Sequence, residues 1–308
     1  MKYNGLKVAA AFAVVITMVW ISCGSTEKQD LTKDYSSPND QFKSYWYNGL
    51  GEVNTYALSQ ARYGELRTGE AVVVFVTEPF DTEKHVKSDR EDANDVRVMK
   101  INHVKKFLTG VYPYSVMTSA FTPINASSYE HPLKATSTAQ EWCGHAFLQL
   151  NNRDKHWKVQ QNSYFEMEGD REFSLDECIL EDGLWTALRI DPEKLPQGKH
   201  QVIPGLTYLR FSHNEVKSYE AELTLVSNDD EYVYSVFYPA LGRTLRLYAG
   251  KDFPHPLTRW EETYVDGWNA SAKELTSTGT LIHSEQLPYW ELNNNADSVY
   301  RTRIGLKH

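Results

Sequence analysis

The stretch AELTLVSNDDEYVYSVFYPALGRTLRLYA, residues 221–249, decides the fold. It contains three strand-like runs, at 221–226, 231–238 and 243–249, in which apolar and polar residues largely alternate. Such alternation is typical of a half-buried β-strand. The tracts SNDD and PALG separate the runs, and their polar residues, proline and glycine favour tight turns. The stretch therefore predicts an antiparallel meander of three strands.

Further strands are predicted along most of the chain. Residues 71–76, AVVVFV, form a continuous apolar and β-branched run, as expected for a strand buried on both faces. The polar tract at 151–155 predicts a hairpin between the strands before and after it. The other predicted strands are residues 98–107, 112–122, 134–150, 156–165, 206–211, 258–265 and 273–283.

Two segments are predicted to be helical. Residues 40–47 open the folded part with aromatic residues on one side. Residues 174–190 begin with Ser174 and Glu177 in a capping-box pattern and continue with an apolar stripe. We therefore predict a mainly β chain with a single large domain over residues 40–308. This domain is a curved antiparallel sheet or an open barrel with one or two packed helices.

The first 23 residues, MKYNGLKVAAAFAVVITMVWISC, have the parts of a secretory signal: a basic start, an uncharged run at 8–21, and a small residue at the end. The uncharged run is shorter than the roughly 20 apolar residues of a spanning helix. Ser22-Cys23 resembles the lipobox of bacterial lipoproteins, in which the cysteine is diacylated, and departs from it at Trp20. We predict a signal peptide over 1–22 and lipidation of Cys23. An uncleaved anchor or cleavage elsewhere is the alternative.

The charge balance excludes some partners. The formal net charge is −9, and the leader contributes two lysines and no acid, so the mature chain is near −11. An acidic surface repels nucleic-acid phosphates and anionic lipid headgroups. We therefore expect no nucleic acid partner and membrane contact through the lipid. Residues 23–39 are polar and suit a flexible tether.

Two of the three cysteines, Cys143 and Cys178, remain if Cys23 is acylated. In an oxidising compartment these two could form a disulfide. The bridge would close a loop of about 35 residues and contribute roughly 3–4 kcal/mol on the loop-entropy account. The spacing alone does not decide between a bridge and two free thiols.

The tract QEWCGH at 140–145 is the main candidate for chemistry. On a strand, residues two apart share a face, so Glu141, Cys143 and His145 would lie in a row. A carboxylate, a thiol and an imidazole can bind a transition metal, or His145 can activate the Cys143 thiolate as a nucleophile. The simpler interpretation is a buried or bridged cysteine between two polar side chains. Sequence motifs for phosphate, dinucleotide or zinc binding are absent, so we predict no cofactor.

Two further features suggest carbohydrate chemistry. Glu261 and Glu262 are neighbouring acids, but neighbours on a strand point to opposite faces and cannot flank one glycosidic bond. Arg259 and Glu261 are expected to form a surface ion pair. Seven of the eight tryptophans lie beyond the leader, and exposed ones could stack on sugar rings.

Several tracts together resemble an uncharacterised family of lipoproteins from diderm bacteria, over most of the mature chain. The tracts are YWY at 45–47, QARYGE at 60–65, GVYPYS at 110–115, QEWCGH at 140–145 and WEE at 260–262. Members can carry an automated label as septum-formation inhibitors of the Maf type. This chain lacks the Ser-x-Ser-Pro-Arg-Arg tract shared by Maf nucleotide pyrophosphatases, so the label is not supported. A fainter, architectural likeness is to the curved-sheet lipoprotein carriers of the outer membrane.

The leading hypothesis is a lipid-anchored, non-enzymatic envelope protein that binds an amphiphilic ligand or a protein partner at a concave sheet face. Gly24 is not the acidic residue that retains enteric lipoproteins at the inner membrane, so the outer membrane is favoured. One alternative is an envelope hydrolase that uses Cys143 and His145, with Glu141 orienting the histidine. Another is a glycan-binding lipoprotein.

Overall fold

The computed structural model describes residues 37–90 and 92–306, and this part contains four α-helices and sixteen strands. The helices are α1 (Asp40–Trp46), α2 (Glu181–Ile190), α3 (Leu206–Ser212) and α4 (Val299–Arg303). The strands are β1 (Gly51–Arg62), β2 (Glu65–Asp81), β3 (Val86–Lys87), β4 (Val96–Thr109), β5 (Tyr112–Pro123), β6 (Lys134–Glu141), β7 (Gly144–Arg153), β8 (His156–Ser163), β9 (Arg171–Asp176), β10 (Ile179–Leu180), β11 (Gly198–Ile203), β12 (Tyr219–Ser227), β13 (Glu231–Tyr238), β14 (Arg243–Gly250), β15 (Leu257–Asp266) and β16 (Lys273–Leu287).

All these strands belong to one large, curved, open sheet that does not close into a barrel. Its order is β10-β11-β12-β13-β14-β15-β16-β1-β2-β4-β5-β6-β7-β8-β9, with β3 paired to β2 beside this path. Neighbouring strands are antiparallel except for the short parallel pair of β10 and β11. The mainly β class and the curved antiparallel sheet predicted from the sequence are confirmed.

The predicted meander at 221–249 corresponds to β12, β13 and β14. Val236 lies opposite both Leu223 on one side and Leu245 on the other. All three side chains are buried, because the alternation places them on the same face of the sheet. The first helix is also confirmed: Asn39 caps α1 by accepting a hydrogen bond from the Phe42 amide at 2.8 Å.

The helices α2 and α3 pack on the same face of the sheet, which we call the inner face. Thr122 and Thr118 of β5 contact Thr186 of α2 and Thr207 of α3 through hydroxyl hydrogen bonds of 2.6 and 3.0 Å. The main core lies between these helices and the inner face. The opposite face is the outer face.

Two buried ion pairs hold α2 on the inner face, one near each end of the helix. At its start, the Glu181 carboxylate accepts two hydrogen bonds of 2.6 Å from Arg243 of β14. Near its end, Arg189 donates two hydrogen bonds of 2.7 Å to Glu52 of β1. Arg189 lies eight positions after Glu181, or about 12 Å along the helix, and β14 and β1 are three places apart, or about 14 Å. The helix therefore lies across the intervening strands.

The predicted strand at 134–150 is wrong, because it is a hairpin of β6 and β7. The chain reverses at Trp142 and Cys143, and Glu141 pairs directly with Gly144. The Glu141 carboxylate accepts a hydrogen bond of 2.7 Å from the Cys143 amide, which stabilises the turn.

The predicted helix at 174–190 is correct only in its second half. Residues of its first half pair with β8 as strand β9, where Ser174 lies opposite Lys158. Tertiary pairing therefore overrides the capping-box pattern. The helix begins instead at Glu181, where Arg243 binds its carboxylate.

The predicted strand at 206–211 is also wrong, since these residues form α3. The Leu206 amide donates to Asp182 at 3.0 Å, which satisfies a free donor at the start of this helix. Short apolar runs of this length suit either a helix or a strand, so periodicity could not distinguish them.

Candidate functional site

The sequence-predicted row of Glu141, Cys143 and His145 does not form. These residues lie around a two-residue turn, with Cys143 at the tip and His145 opposite Gln140. Within residues 37–90 and 92–306, no group of three or more His, Cys, Asp or Glu side chains is placed to hold a metal ion.

The Cys143 thiol is exposed but not activated. The pKa of this thiol is raised above its ordinary value. The main cause is its hydrogen bond with Glu141, and the negative charge of that carboxylate adds to the effect. A raised pKa reduces the thiolate fraction at neutral pH, which is the opposite of what a nucleophile needs.

The disulfide considered between Cys143 and Cys178 is not formed, because both thiols are free. Cys143 lies just before the first residue of β7. Cys178 follows β9, and the last residue of β9, Asp176, pairs with His156 at the other end of β7. The ten residues of β7 separate the two ends by about 33 Å. Disulfide-bonded cysteines have Cα atoms within about 7 Å.

Glu261 and Glu262 point to opposite faces of the sheet, as expected for neighbouring residues of a strand. Glu262 is buried on the inner face and accepts hydrogen bonds of 2.9 and 2.7 Å from Arg243. Glu261 lies on the outer face, 4.0 Å from Arg259. The expected surface ion pair is therefore present, at the limit of ion-pair distance.

One end of the sheet carries most of the exposed large apolar side chains. At this end, which we call the apolar end, β1 turns into β2, and the antiparallel order brings the β4–β5, β6–β7, β8–β9 and β15–β16 connections to the same edge. Exposed side chains in these connections are Val111, Trp142, Tyr164, Met167 and Trp268.

A pocket of about 300 Å³ opens on the inner face at the apolar end. Its walls come from the end of β1, the end of α3, the turn after β13 and the β15–β16 connection. The lining residues are Arg62, Tyr63, Tyr208, Phe211, Ser212, Asn214, Ala240, Leu241, Tyr264, Val265, Asp266, Gly267 and Trp268. We call this opening the Arg62 pocket.

Arg62 is the cation of this pocket and is only 3% exposed. Its guanidinium donates to the Phe211 carbonyl at 2.8 Å and to the Tyr114 hydroxyl at 3.2 and 3.3 Å. No carboxylate of the described residues forms a salt bridge with it, and Asp266 acts only as a longer-range charge. Burial of a charge without a paired counter-charge is costly, so this arrangement requires an explanation.

Aromatic rings surround the guanidinium. Its central carbon lies 4.2 Å from the Tyr63 ring centroid, 5.0 Å from that of Phe211 and 5.8 Å from that of Trp268. Burial alone would lower the pKa of Arg62. The phenol oxygens of Tyr114 and Tyr63 offset this effect and hold that pKa above its ordinary value. Arg62 therefore stays cationic at any physiological pH.

The backbone at the mouth of the pocket is held by Asp266. Its carboxylate accepts a hydrogen bond of 2.6 Å from the Gly64 amide. Gly64 has a positive φ of 72°, and a Cβ there would lie 2.2 Å from the Ser271 carbonyl oxygen. Only glycine therefore allows the β1–β2 turn to approach the β15–β16 connection this closely.

The β8–β9 connection is attached to α3 beside this pocket. Glu168 accepts hydrogen bonds from Arg210 at 2.9 Å and from Ser163 at 2.6 Å, and its carboxylate lies 2.7 Å from His213 Nδ1. Burial raises the pKa of Glu168, but the hydrogen bonds from His213 and Ser163 and the charge of Arg210 lower it below its ordinary value. This loop is thus fixed relative to the pocket.

A second, larger opening lies on the outer face. It is a groove of about 820 Å³ whose lining includes Ala57, Leu108, Ile282 and Leu306. The C-terminal segment borders it, because the Thr55 hydroxyl donates to the Ile304 carbonyl at 2.5 Å.

Two buried basic residues lie in the interior rather than in these openings. His103 and Lys105 of β4 are on the inner face, and burial lowers the pKa of each side chain below its ordinary value. The His103 ring packs 4.9 Å from both Trp185 and Trp260, centroid to centroid.

Sequence reasoning missed Arg62 as a site residue, although a signal was present. Tyr56, Leu58, Gln60 and Arg62 share one face of β1, so an arginine continues a mostly buried row. The tract was ambiguous between helix and strand, and that ambiguity concealed the alternation.

Comparison of this chain with protein-family models, with curated proteins and with solved structures finds no match.

No helix within the described ranges is long and apolar enough to cross a membrane.

The predicted signal peptide, Cys23 and most of the tether lie outside the described residues.

Proposed function

We propose that the chain is a lipid-anchored, non-enzymatic protein of the cell envelope that binds an amphiphilic ligand with an anionic head. The observation that carries the proposal is Arg62, a buried guanidinium without a salt bridge, in an open pocket on the inner face. An oxyanion in the pocket would supply the missing counter-charge, and arginine binds phosphate and carboxylate groups well.

The apolar part of such a ligand can contact an exposed apolar surface beside the pocket. The exposed faces of Trp268 and Val265 border the pocket, and both side chains are more than half exposed. An acyl chain that leaves the pocket along these residues would remove apolar surface from water. Ligand pockets commonly combine an apolar wall with a few polar groups that orient the ligand.

The lipid anchor and the location rest on the leader. The proposal keeps cleavage after Ser22, acylation of Cys23 and a tether over residues 23–39. It favours the outer membrane, because Gly24 follows the acylated cysteine. Metabolic labelling with a fatty acid tests this part: label in the wild type that is lost in Cys23→Ala supports it, and an unlabelled wild type contradicts it.

Three amphiphiles with the same alkyl chain test the pocket. Dodecyl phosphate, dodecyl maltoside and dodecyl trimethylammonium are titrated below their micelle concentrations while tryptophan fluorescence is recorded. We expect dodecyl phosphate to bind most tightly and Arg62→Met to weaken it. Loss of a charge-assisted hydrogen bond of about 1.5–3 kcal/mol corresponds to about 10- to 150-fold in Kd.

Two controls separate binding from folding. Arg246→Met removes an arginine that is 46% exposed on the outer face, so its Kd should match the wild type. Arg62→Lys keeps the charge and should retain part of the affinity. Equal affinity for all three amphiphiles, or an unchanged Kd in a folded Arg62→Met variant, would contradict the proposal.

A second candidate, glycan binding, is favoured by the ring pair at the mouth of the pocket. The Tyr63 and Trp268 rings are 5.4 Å apart, and Trp268 is 53% exposed, so a sugar ring could stack on it. Asn214, Ser212 and Asp266 line the same pocket and suit sugar hydroxyl groups. Maltose and a panel of polysaccharides without alkyl chains distinguish this candidate: it requires them to bind and Trp268→Ala to abolish the response.

The hydrolase alternative has less support. Glu141 raises the pKa of Cys143, and His145 lies on the strand after the turn rather than on the same strand. A protein partner is the other occupant considered at this face. It becomes the leading alternative if neither amphiphiles nor saccharides change the fluorescence.

A further inference from the structure

The connections at the apolar end differ in character from those at the opposite end. Val111, Trp142 and Met167 occupy the β4–β5, β6–β7 and β8–β9 connections and are 81%, 70% and 85% exposed. Trp268 is exposed in the β15–β16 connection, and Leu66 follows the β1–β2 turn with half of its surface exposed. Five neighbouring connections thus present large apolar groups to solvent, which is uncommon for chance exposure.

The turns at the opposite end are mostly polar, although Val226 beside one of them and Trp290 after β16 are exposed. The hairpin between β7 and β8 turns at Asp154 and Lys155, and the hairpin between β12 and β13 turns at residues 228–230, Asn-Asp-Asp. The β2–β3 connection has the sequence TEKH at 82–85. The two edges of the sheet at which its strands end therefore differ in polarity.

We propose that the apolar end contacts a phospholipid bilayer, with the side chains of its turns inserted into the interfacial region. Tryptophan and tyrosine prefer this region, because an apolar ring and a polar N–H or O–H suit its two sides. The inference rests on the proposed lipid anchor for bringing the chain to a membrane, but the contact itself is a property of these turns.

The geometry of the turns favours a bilayer over a protein partner. The tips contact one another along the edge of the sheet: the Tyr112 and Trp142 rings are 6.3 Å apart, and the Tyr63 ring lies 5.4 Å from that of Trp268, centroid to centroid. They therefore form a row of aromatic side chains, as in the aromatic belt at a membrane interface.

The charge at this end selects the kind of lipid. Glu65, Glu166, Asp170 and Glu274 are exposed near the turns, and they outnumber the exposed bases Arg171 and Lys273. Anionic headgroups would therefore be repelled, and zwitterionic lipid is the expected partner.

The tether is long enough to permit this contact. The described chain begins at Ser37, and α1 leads into the start of β1, which is the end opposite the apolar turns. The 14 residues at 23–36 reach at most about 46–50 Å when extended. The 12 residues of β1 are about 40 Å long, so an acylated Cys23 and the apolar turns can reach the same membrane.

The native thiol at Cys143 provides a reporter on one of these tips, because it is exposed beside Trp142. In a chain with Cys23→Ser and Cys178→Ser, Cys143 is labelled with a polarity-sensitive fluorophore and mixed with phosphatidylcholine vesicles. We expect a blue shift and quenching by lipids that carry a spin label on the acyl chain. The matched control moves the thiol to the polar end, with Cys143→Ser and Val226→Cys, and should show neither change.

A variant tests the apolar side chains directly. Trp142→Ala combined with Met167→Ser should weaken vesicle binding by about tenfold or more, because two exposed apolar groups are lost. Replacing part of the phosphatidylcholine by phosphatidylglycerol at low salt should weaken binding as well.

Because this chain lacks the acylated cysteine, its vesicle binding is independent of the anchor, and Arg62→Met in the same chain separates insertion of the tips from ligand binding in the Arg62 pocket. An unquenched label at Cys143, or equal quenching at position 226, overturns the inference even if Cys23 is acylated in cells. A label that stays in water with vesicles but becomes shielded by envelope extract identifies a protein partner and also overturns it.

Discussion

The imidazole of His103 and the indole of Trp260 lie 4.9 Å apart, centroid to centroid, although their strands are four places apart in the sheet. In a flat sheet, strands four places apart are about 19 Å from each other. The inner face therefore curls strongly between β15 and β4, and side chains of distant strands meet. The curled sheet, α2 and α3 enclose the core on the inner face. The Arg62 pocket is the opening on this face in which we propose that a ligand binds.

The curl depends on a glycine beneath the indole. A Cβ on Gly279 of β16 would lie 2.1 Å from Trp260 ring atoms, so Gly279→Ala must displace the tryptophan and its contact with His103. We expect a loss of about 1–3 kcal/mol in the free energy of unfolding, measured by urea denaturation. Thr280→Ala, at the neighbouring exposed position, should change it by less than about 0.5 kcal/mol.

The ion pair between Arg189 and Glu52 should dominate the attachment of α2 to β1. Both side chains are buried, and Arg189→Met leaves the Glu52 carboxylate without its cation. Breaking a buried pair in this way costs about 3–5 kcal/mol, which urea denaturation at pH 7.5 would detect. Arg246→Met, on the exposed face, should cost about 1 kcal/mol or less.

The same variant has a defined pH dependence. Burial raises the pKa of Glu52, but the charge and hydrogen bonds of Arg189, together with hydrogen bonds from Tyr45 and Asn54, lower it overall. In the wild type this carboxylate therefore stabilises the fold above its unfolded pKa of about 4.3, and the contribution is lost as pH falls through the lower folded pKa. In Arg189→Met, burial without the cation raises the pKa of Glu52, so protonation of this carboxylate removes the cost of burying its charge. The difference in the free energy of unfolding between variant and wild type should therefore shrink as pH falls towards about 5. A difference that does not change with pH would contradict this account.

The chemistry of Cys143 should be controlled by Glu141 and not by His145. Because the carboxylate raises the pKa of the thiol, Glu141→Gln should increase the rate of alkylation by iodoacetamide at pH 7.5. His145→Ala should leave that rate unchanged. Fast alkylation in the wild type that His145→Ala abolishes would contradict this prediction and revive the hydrolase alternative.

The position of Gly183 in α2 is explained by Pro132. A Cβ at this glycine would lie 2.2 Å from the proline Cγ, so Gly183→Ala should destabilise the chain although alanine is the better helix former. In a Pro132→Ala background the clash is relieved, and the same substitution should become stabilising by up to about 1 kcal/mol. A double-mutant cycle with urea denaturation measures the difference, and additive effects would contradict the explanation.

The sequence predicted the sheet well because alternation and turn residues are local signals. The runs at 231–238 and 243–249 match β13 and β14 to within one residue. The same reasoning failed at Trp142 and Cys143, because neither turn position holds glycine, proline or asparagine and Gly144 follows only after them. It also failed for α3, whose start depends on Asp182, a residue 24 positions earlier in the chain.

The candidate site was less predictable than the fold for a related reason. The Arg62 pocket combines the end of β1 with α3 and the β15–β16 connection, and Arg62 and Phe211 are 149 positions apart. Neither the pairing nor the lack of a salt-bridged carboxylate has a local signature. The row of Glu141, Cys143 and His145 was a local pattern, and a two-residue turn removed it.

The central claim is that Arg62 binds the head of an anionic amphiphile. The measurement that tests it most directly is an experimental structure of the chain with dodecyl phosphate. We predict the phosphate within hydrogen-bond distance of the Arg62 guanidinium, with the alkyl chain leaving along Trp268. A phosphate bound elsewhere while the Arg62 pocket holds only water would contradict the claim.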